Sequence, residues 1–263
     1  MNSTHAIRSN ADRSDEGDGV KVSKSSVVLV SSLKMESSHR SIRHKPDVTW
    51  TPSFLPFLTL KIPINAESIV DVGCGRGIIG ALVRIYRNPS RLVGLDIYRE
   101  YLNFCNWLNL YDELYEYDLR NIPLPFEEAE FDVATCIEVL EHLPKRQGLA
   151  LLDDLERIAK MVIVTTPNVS FQQDYYDGNP HQQHLSAWSL EDFKQRQYNV
   201  RGLGDLLILG RYIKYLSFFL SRFVYVIPTF AETILAWKSN DQPSYSNQNI
   251  TRAIKPEKLI PSL

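Results

Sequence analysis

The sequence is short of cysteine, of net charge and of long uninterrupted apolar runs. Its three cysteines, Cys74, Cys105 and Cys136, stand singly with no C-x-x-C pair. That excludes a zinc ribbon and a disulfide-built scaffold, and it suits a reducing compartment. Lysine and arginine number 29 against 31 acidic residues, a formal net charge of −2. A chain whose main task is gripping nucleic acid through a basic face is thereby disfavoured, and nucleic acid is not the expected partner. Residues 1–20 are polar and lack the apolar centre of a secretory signal, so the expected location is cytoplasmic. No internal repeat is visible.

What is present is a 263-residue chain with 44% hydrophobic residues, enough for one α/β domain with extensions. Residues 1–45 are rich in Ser, Asp, Arg and Gly and read as a disordered polar tail, within which Val27–Val30 offers a stray strand. Residues 46–240 are globular, and 241–263 form a second polar tail. In the globular part, short β-branched runs alternate with segments of helical spacing. Strands are expected at Ser68–Cys74, Arg91–Ile97, Leu114–Leu119, Phe131–Ile137, Met161–Thr166, Tyr198–Gly204 and Thr233–Trp237. Helices are expected at Ile78–Tyr86, Glu100–Leu108, Leu149–Ala159 and Ser189–Gln197, the last opened by Ser189 with Asp192 three residues on. This order specifies a doubly wound, mostly parallel seven-stranded sheet with helices on both faces. Ligands of such sheets sit beyond the carboxyl ends of the strands, so the chemistry is sought there.

After the first of these strands comes Asp71-Val-Gly73-Cys-Gly75-Arg-Gly77-Ile-Ile-Gly80. Glycines allow a tight turn and a close backbone approach, and the next helix presents free N–H groups. Gly75-x-Gly77-x-x-Gly80 satisfies a dinucleotide fingerprint, with Asp96 about twenty residues on to hold a ribose. The alternative is the nucleoside loop of S-adenosylmethionine enzymes, an acid inside the strand followed by G-x-G-x-G. Asp71 favours the alternative: inside a strand an uncompensated carboxylate is costly, unless it anchors the loop or meets a cationic ligand tail. Gly73 and Gly75 also lie earlier than a pyrophosphate site needs.

VDVGCGRG, then VGLDI, then YDLRNIPLPFEEAEFDVATCIEVLEHLPK together resemble the class I S-adenosylmethionine-dependent methyltransferases, from about Ser68 to Thr166 with a weaker continuation to Trp237. The resemblance implies S-adenosyl-L-methionine as cofactor. It implies that Asp71, Gly73, Gly75 and Gly77 form the loop beside the methionine moiety. Asp96, followed by Ile97, would bind both ribose hydroxyls. Asp118 would accept from the adenine amine with Leu119 nearby, and Ile137 would line the pocket. A carboxylate suits a vicinal diol because it accepts from both hydroxyls. Capping a helix is the plainer role for either acid, but two acids at successive strand ends behind a glycine loop fit ligand binding better.

Groups able to act on a methyl acceptor follow the fourth and fifth strands: Glu138-Val-Leu-Glu141-His142, then Thr165-Thr166-Pro167-Asn168, then the polar stretch from Asp177 to Trp188 with His181 and His184. Methyl transfer from a sulfonium chiefly needs alignment and exclusion of water, with a base only where the acceptor keeps its proton. His184, His142 and Glu138 are the expected catalytic groups, acting on an oxygen or nitrogen of a small-molecule, sugar or lipid-type acceptor; no metal belongs to this reading. Packing or capping is the plainer role of His142, a turn that of Asn168, loop fixing that of His181 and His184, and anchoring that of Trp188.

Glu138-x-x-Glu141-His142, TTPN and H-x-x-H-x-x-x-W-S-x-x-D-F are also similar to the Hen1 family of RNA 3′-end 2′-O-methyltransferases. That similarity implies Mg²⁺ held by Glu138, Glu141, His142 and His184, although Ala187 stands where the family has Glu. A non-catalytic cofactor-binding relative is a further alternative. Finally, residues 206–230 are strongly apolar, too short and too interrupted by Pro228 to span a bilayer. They read as a lid over the substrate or as a peripheral membrane contact.

Overall fold

The computed structural model describes residues 28–29, 60–168, 173, 178–206 and 223–240. Its centre is one sheet of eight strands: β1 Val28–Leu29, β2 Ser68–Val72, β3 Arg91–Asp96, β4 Glu113–Glu116, β5 Phe131–Ile137, β6 Ala159–Pro167, β7 Asn199–Leu206 and β8 Ala231–Ser239. The order across the sheet is β1-β4-β3-β2-β5-β6-β8-β7. Strands β4, β3, β2, β5 and β6 run parallel. Strand β8 runs antiparallel to both β6 and β7, and β1 pairs antiparallel with β4. Seven strands are those expected; the eighth, Val28–Leu29, falls inside the stretch read as a tail. The rest of that tail, the C-terminal tail and residues 207–222 of the apolar segment lie outside the described residues.

The sheet buries both faces, which is why its strands read as apolar runs rather than alternating ones. Along β2, Val70 and Val72 join a core layer with Leu151, Leu155, Ile158 and Phe193, while Ile69 points to the other layer with Val83, Leu102 and Leu114. Helices α1 Ile78–Tyr86 and α2 Arg99–Trp107 cover the second layer; α3 Lys145–Ile158 and α4 Leu190–Gln195 cover the first. In α3 the buried positions Leu151, Leu152, Leu155 and Ile158 recur at three- and four-residue spacing, the stripe an amphipathic helix presents to a core. Helix α4 opens on a reciprocal capping box between Ser189 and Asp192, as the sequence predicts.

Two boundaries move in ways that affect the site. Strand β4 ends at Glu116 rather than Leu119, which places Asp118 in the connection beyond it. Strand β8 begins at Ala231, and Leu206 of β7 pairs with it there, so the end of β7 and the start of β8 meet at one point of the sheet.

Candidate active site

The glycine loop is stapled to the neighbouring strand. The N–H groups of Gly73 and Cys74 both donate to the carbonyl of Leu95 at 2.8 Å, and Gly73 and Gly77 sit at φ 75° and 79°, where a side chain is strained. A Cβ on Gly73 would fall 2.4 Å from Val139, so the turn after β5 packs directly on the loop. A Cβ on Gly75 would meet nothing within 4 Å: the loop faces an open cradle. Beside it, Asp96 accepts from the N–H of Gly75 through Oδ2 and from that of Tyr98 through Oδ1, each at 2.8 Å. Burial raises its pKa against the pull of those bonds. Each carboxylate oxygen retains a lone pair for a further donor.

Asp71 is fully engaged beneath the loop. Tyr111 donates its hydroxyl to Oδ2 at 2.7 Å, and Thr135 donates to Oδ1 at 2.8 Å. Burial nevertheless pushes its pKa up to about 6, with the charge of Asp96 adding to the rise. Of the two roles open to Asp71, this geometry serves the anchor. Tyr111 also explains Gly80: a Cβ there would lie 2.4 Å from the Tyr111 ring. The third glycine of the fingerprint therefore makes room for an aromatic side chain. Neither Tyr111 nor Thr135 carries a sequence signal for this role.

Asp118 lies past β4 and is partly exposed, clamped by Arg120: Nε lies 2.9 Å from Oδ1 and Nη2 2.6 Å from Oδ2. Those bonds hold its carboxyl below the usual range. Any further donor to Asp118 shares an acceptor that Arg120 already occupies. Leu119 and Ile137 are buried and Ile97 is half-buried.

Glu138, at the end of β5, takes the uncommon φ of 54°, and its N–H donates to the Thr165 carbonyl at 3.1 Å. Its Oε1 is buried with no hydrogen-bond partner among the described residues. Burial, with repulsion from Glu232, raises its pKa to about 7. Glu141 is buried and accepts from the Thr166 hydroxyl at 3.0 Å; burial and the neighbouring Glu138 push its pKa well above the carboxylate range. Burial pushes His142 down to about 4, with His184 reinforcing the shift. Its Nδ1 faces the Gln183 carbonyl at 3.2 Å, which fixes a proton there and leaves Nε2 as acceptor. The rings of His142 and His184 meet edge-on at 5.0 Å. Ligand atoms of Glu141, His142 and His184 lie within 4.8 Å of one another, which brings together three of the four residues of the Hen1-like set; Glu138 is not in that group.

The polar stretch is pinned over these groups. Leu185 and Ser186 donate backbone N–H to the Glu141 carbonyl at 2.7 and 3.1 Å. Trp188 is buried, stacks on Phe193, and carries Lys145 Nζ 3.7 Å from its ring centroid; Gly148 leaves the space its ring edge fills. Asn168 does more than turn the chain: its side-chain amide donates to the carbonyls of Pro228 and Ala231 at 3.1 and 2.9 Å, tying the re-entry of the apolar segment to the end of β6.

A parallel sheet with a glycine loop behind its first long strand and an acid ending the next is matched outside this chain. Residues 69–161 fit the family model of a methyltransferase domain. By that match, residues 69–161 are a methyltransferase domain. A 109-residue stretch is 29% identical to the ubiquinone biosynthesis O-methyltransferase of Stutzerimonas stutzeri strain A1501, covering 40% of this chain and 46% of that protein. A 103-residue stretch is 31% identical to the enzyme of the same name from Ralstonia nicotianae, covering 38% and 42%. The matched region thus spans less than half the length of either relative. In fold, the methyltransferase domain is similar to a chain of the complex between the Haloferax volcanii Trm112 methyltransferase activator and a methyltransferase, with TM-score 0.51 at 17% identity over 72% of this chain and 90% of that one. The family implies use of S-adenosylmethionine.

Proposed function

We propose that this protein transfers a methyl group from S-adenosylmethionine to an oxygen or nitrogen of a small-molecule, sugar or lipid-type acceptor, with a hydroxyl oxygen as first choice. The observation that carries the reading is the orphaned Oε1 of Glu138, on the turn whose Val139 packs against Gly73. A buried carboxyl poised near neutrality, beside the donor loop, has the properties of a base for a hydroxyl. The names of the curated relatives, O-methyltransferases both, support the oxygen.

The residues present fit the cofactor: the cradle at Gly75 is open, and Asp96 keeps lone pairs beside it. When bound, S-adenosylmethionine supplies the methyl as a sulfonium group whose departing thioether needs no protonation. Asp96 would hold the sugar hydroxyls, Asp118 with Arg120 the base edge, and Gly73 to Gly77 the methionine end. Glu138 would take the acceptor's proton onto Oε1, and His142, with Nε2 free to accept, would orient the hydroxyl together with His184. Leu119 and Ile137 would exclude water. Transfer of labelled methyl from S-adenosylmethionine to a panel of phenolic and sugar hydroxyls tests the reading. Incorporation that falls in Glu138→Gln supports it; a folded chain that fails to bind S-adenosylmethionine overturns it.

A second reading, metal-assisted 2′-O-methylation of an RNA end, draws on the closeness of Glu141, His142 and His184. The acid–imidazole set is acceptable to Mg²⁺ or Mn²⁺, while the net charge of −2 disfavours RNA. Activity on an RNA 3′ end that needs added Mn²⁺ and disappears in His184→Ala favours this reading; metal-independent transfer to a small hydroxyl removes it.

The lipid-type acceptor is supported by Phe223, Val226, Ile227 and Phe230, all exposed where the apolar segment re-enters the sheet. No helix among the described residues is long and apolar enough to cross a membrane. Co-sedimentation of the full chain with anionic liposomes tests the contact, and its absence counts against it.

A further inference from the structure

The apolar residues ahead of β8 are joined by two cations that methyl transfer leaves unused. Lys61, ahead of β2, places Nζ 3.8 Å from the ring centroid of Trp237 on β8 and 5.9 Å from that of Tyr225. Arg201 on β7 places its guanidinium carbon 5.8 Å from the Tyr225 centroid and 5.9 Å from that of Trp237. Each cation thus reaches both rings, which keeps the two charges within about 10 Å of each other, one Debye length at moderate salt. Arg201 is registered with Leu235, so it shares the face of the sheet that carries Leu235 and Trp237, while Glu232 alternates onto the other face. Among the described residues no carboxylate forms an ion pair with Lys61 or Arg201. Aromatic faces hold the cations instead, and positive charge is left at a surface where Arg201 is exposed and Lys61 half-buried.

The rim of this cation pair is apolar. Ile62 and Tyr225 pack inward on the core, whereas their neighbours Leu60, Ile64, Phe223 and Val226 are exposed, Ile64 and Val226 at 86% and 70%. Positive charge ringed by exposed apolar side chains matches a phospholipid surface, where anionic phosphates lie above acyl chains and Lys and Arg bury their stems while their charges stay among the headgroups. A soluble phosphate would gain nothing from the apolar rim, and a neutral apolar partner nothing from the charges.

We propose that Lys61 and Arg201, set on Trp237 and Tyr225, form the headgroup site of a contact with an anionic phospholipid surface, flanked by Leu60, Ile64, Phe223 and Val226. The proposal deepens the reading of a peripheral membrane contact at the apolar segment and rests on it. It adds a second stretch of chain, residues 60–64, and a charge requirement that the apolar segment alone does not carry. Pro228, three residues past Tyr225, is tied to Asn168 at the end of β6, so the contact runs toward the rim where a lipid-type acceptor would enter.

The test is flotation of the full chain with vesicles of phosphatidylcholine alone and of phosphatidylcholine with phosphatidylglycerol. The wild type is expected to bind only the second, less as salt is added. The double variant Lys61→Gln with Arg201→Gln is expected to bind roughly tenfold to thirtyfold more weakly, and Lys61→Arg with Arg201→Lys to keep the affinity. Arg201→Gln alone, at an exposed position, is expected to cost about fivefold and decides the matter where the double variant loosens the fold. Val226→Ser is expected to weaken binding severalfold. Equal binding to both vesicles, undiminished in the Gln variants, overturns the headgroup site and leaves the lipid contact standing; binding to neither overturns both. Displacement of the chain from vesicles by glycerol phosphate or a short RNA at the same phosphate concentration overturns the proposal by giving the cations to a soluble ligand. Titration of S-adenosylhomocysteine into the same preparations reports separately on the methyltransferase reading, and the Gln variants are expected to bind it like the wild type.

Discussion

Tyr111 and Asp71 form a buried hydroxyl–carboxylate pair, 2.7 Å apart, directly under the glycine loop. The same ring fills the space left by Gly80 and contacts the position a Cβ on Gly94 would take. One aromatic side chain thus fixes the acid, the first helix and the second parallel strand relative to each other.

Tyr111→Phe keeps the packing and removes the donor. It should cost about 1–3 kcal/mol, the penalty for leaving a buried acceptor short of a partner, read as a lowered urea midpoint. Gly80→Ala tests the other side of the contact. A methyl 2.4 Å from the ring forces the ring or the helix to shift, and a loss of about 1–3 kcal/mol is expected. Wild-type stability in both variants would dismiss the keystone role.

Asp96→Asn retains size but loses half of the acceptor capacity that Gly75, Tyr98 and a sugar would share. Binding of S-adenosylhomocysteine should weaken by about 1.5–3 kcal/mol, roughly tenfold to a hundredfold. Equal affinity for wild type and variant would remove the ribose assignment.

Glu138→Gln should lower kcat by roughly 10²–10⁴-fold with little change in KM, the range for loss of a positioned base. Because the pKa of Glu138 is raised to about 7, the base form grows as pH rises through that value, and wild-type kcat should climb with it. Residual activity in the variant should lack that limb. A rising limb that persists in Glu138→Gln would assign the proton to another group.

Stability has its own pH signature. Asp71 is raised to about 6, Glu138 to about 7 and Glu141 further, all by burial. From the ordinary carboxylate range up to about 7, the folded chain keeps protons that the unfolded chain has released. Fewer protons in the unfolded state means that stability falls as pH rises through this window. Asp132, lowered to about 2 by Lys160 and backbone donors, acts in the opposite sense below the window, and His142, pushed down to about 4, opposes it between about 4 and its ordinary value; the three raised acids outnumber it. Urea midpoints should decline from mildly acidic to mildly alkaline pH, less steeply in Glu138→Gln; a flat profile would contradict the burial of these acids.

Much of this architecture is legible in one dimension because its determinants are local. Strands buried on both faces write themselves as Val-rich runs, the positive-φ positions of the loop demand Gly73 and Gly77, and Ser189 with Asp192 announces a helix. The partners of the site are harder to read. Tyr111 and Thr135 reach Asp71 from 40 and 64 residues away. No spacing rule joins them, since only folding sets the distance. Asp118 was readable as an acid near a strand end, but its clamp by Arg120 follows from β4 stopping at Glu116. Likewise, the polar side chain of Asn168 suggests a turn, whereas its amide reaches carbonyls 60 and 63 residues on.

Because Leu206 and Ala231 are already registered partners, the end of β7 and the start of β8 form a closed seam at the carboxyl rim of the parallel strands. Gly202 tightens that seam by admitting the Val224 carbonyl where a side chain would stand. Length and composition can therefore change inside the seam without disturbing a single rung of the sheet. The scaffold can keep its glycine loop and strand-end acids constant while the neighbouring cover is rewritten.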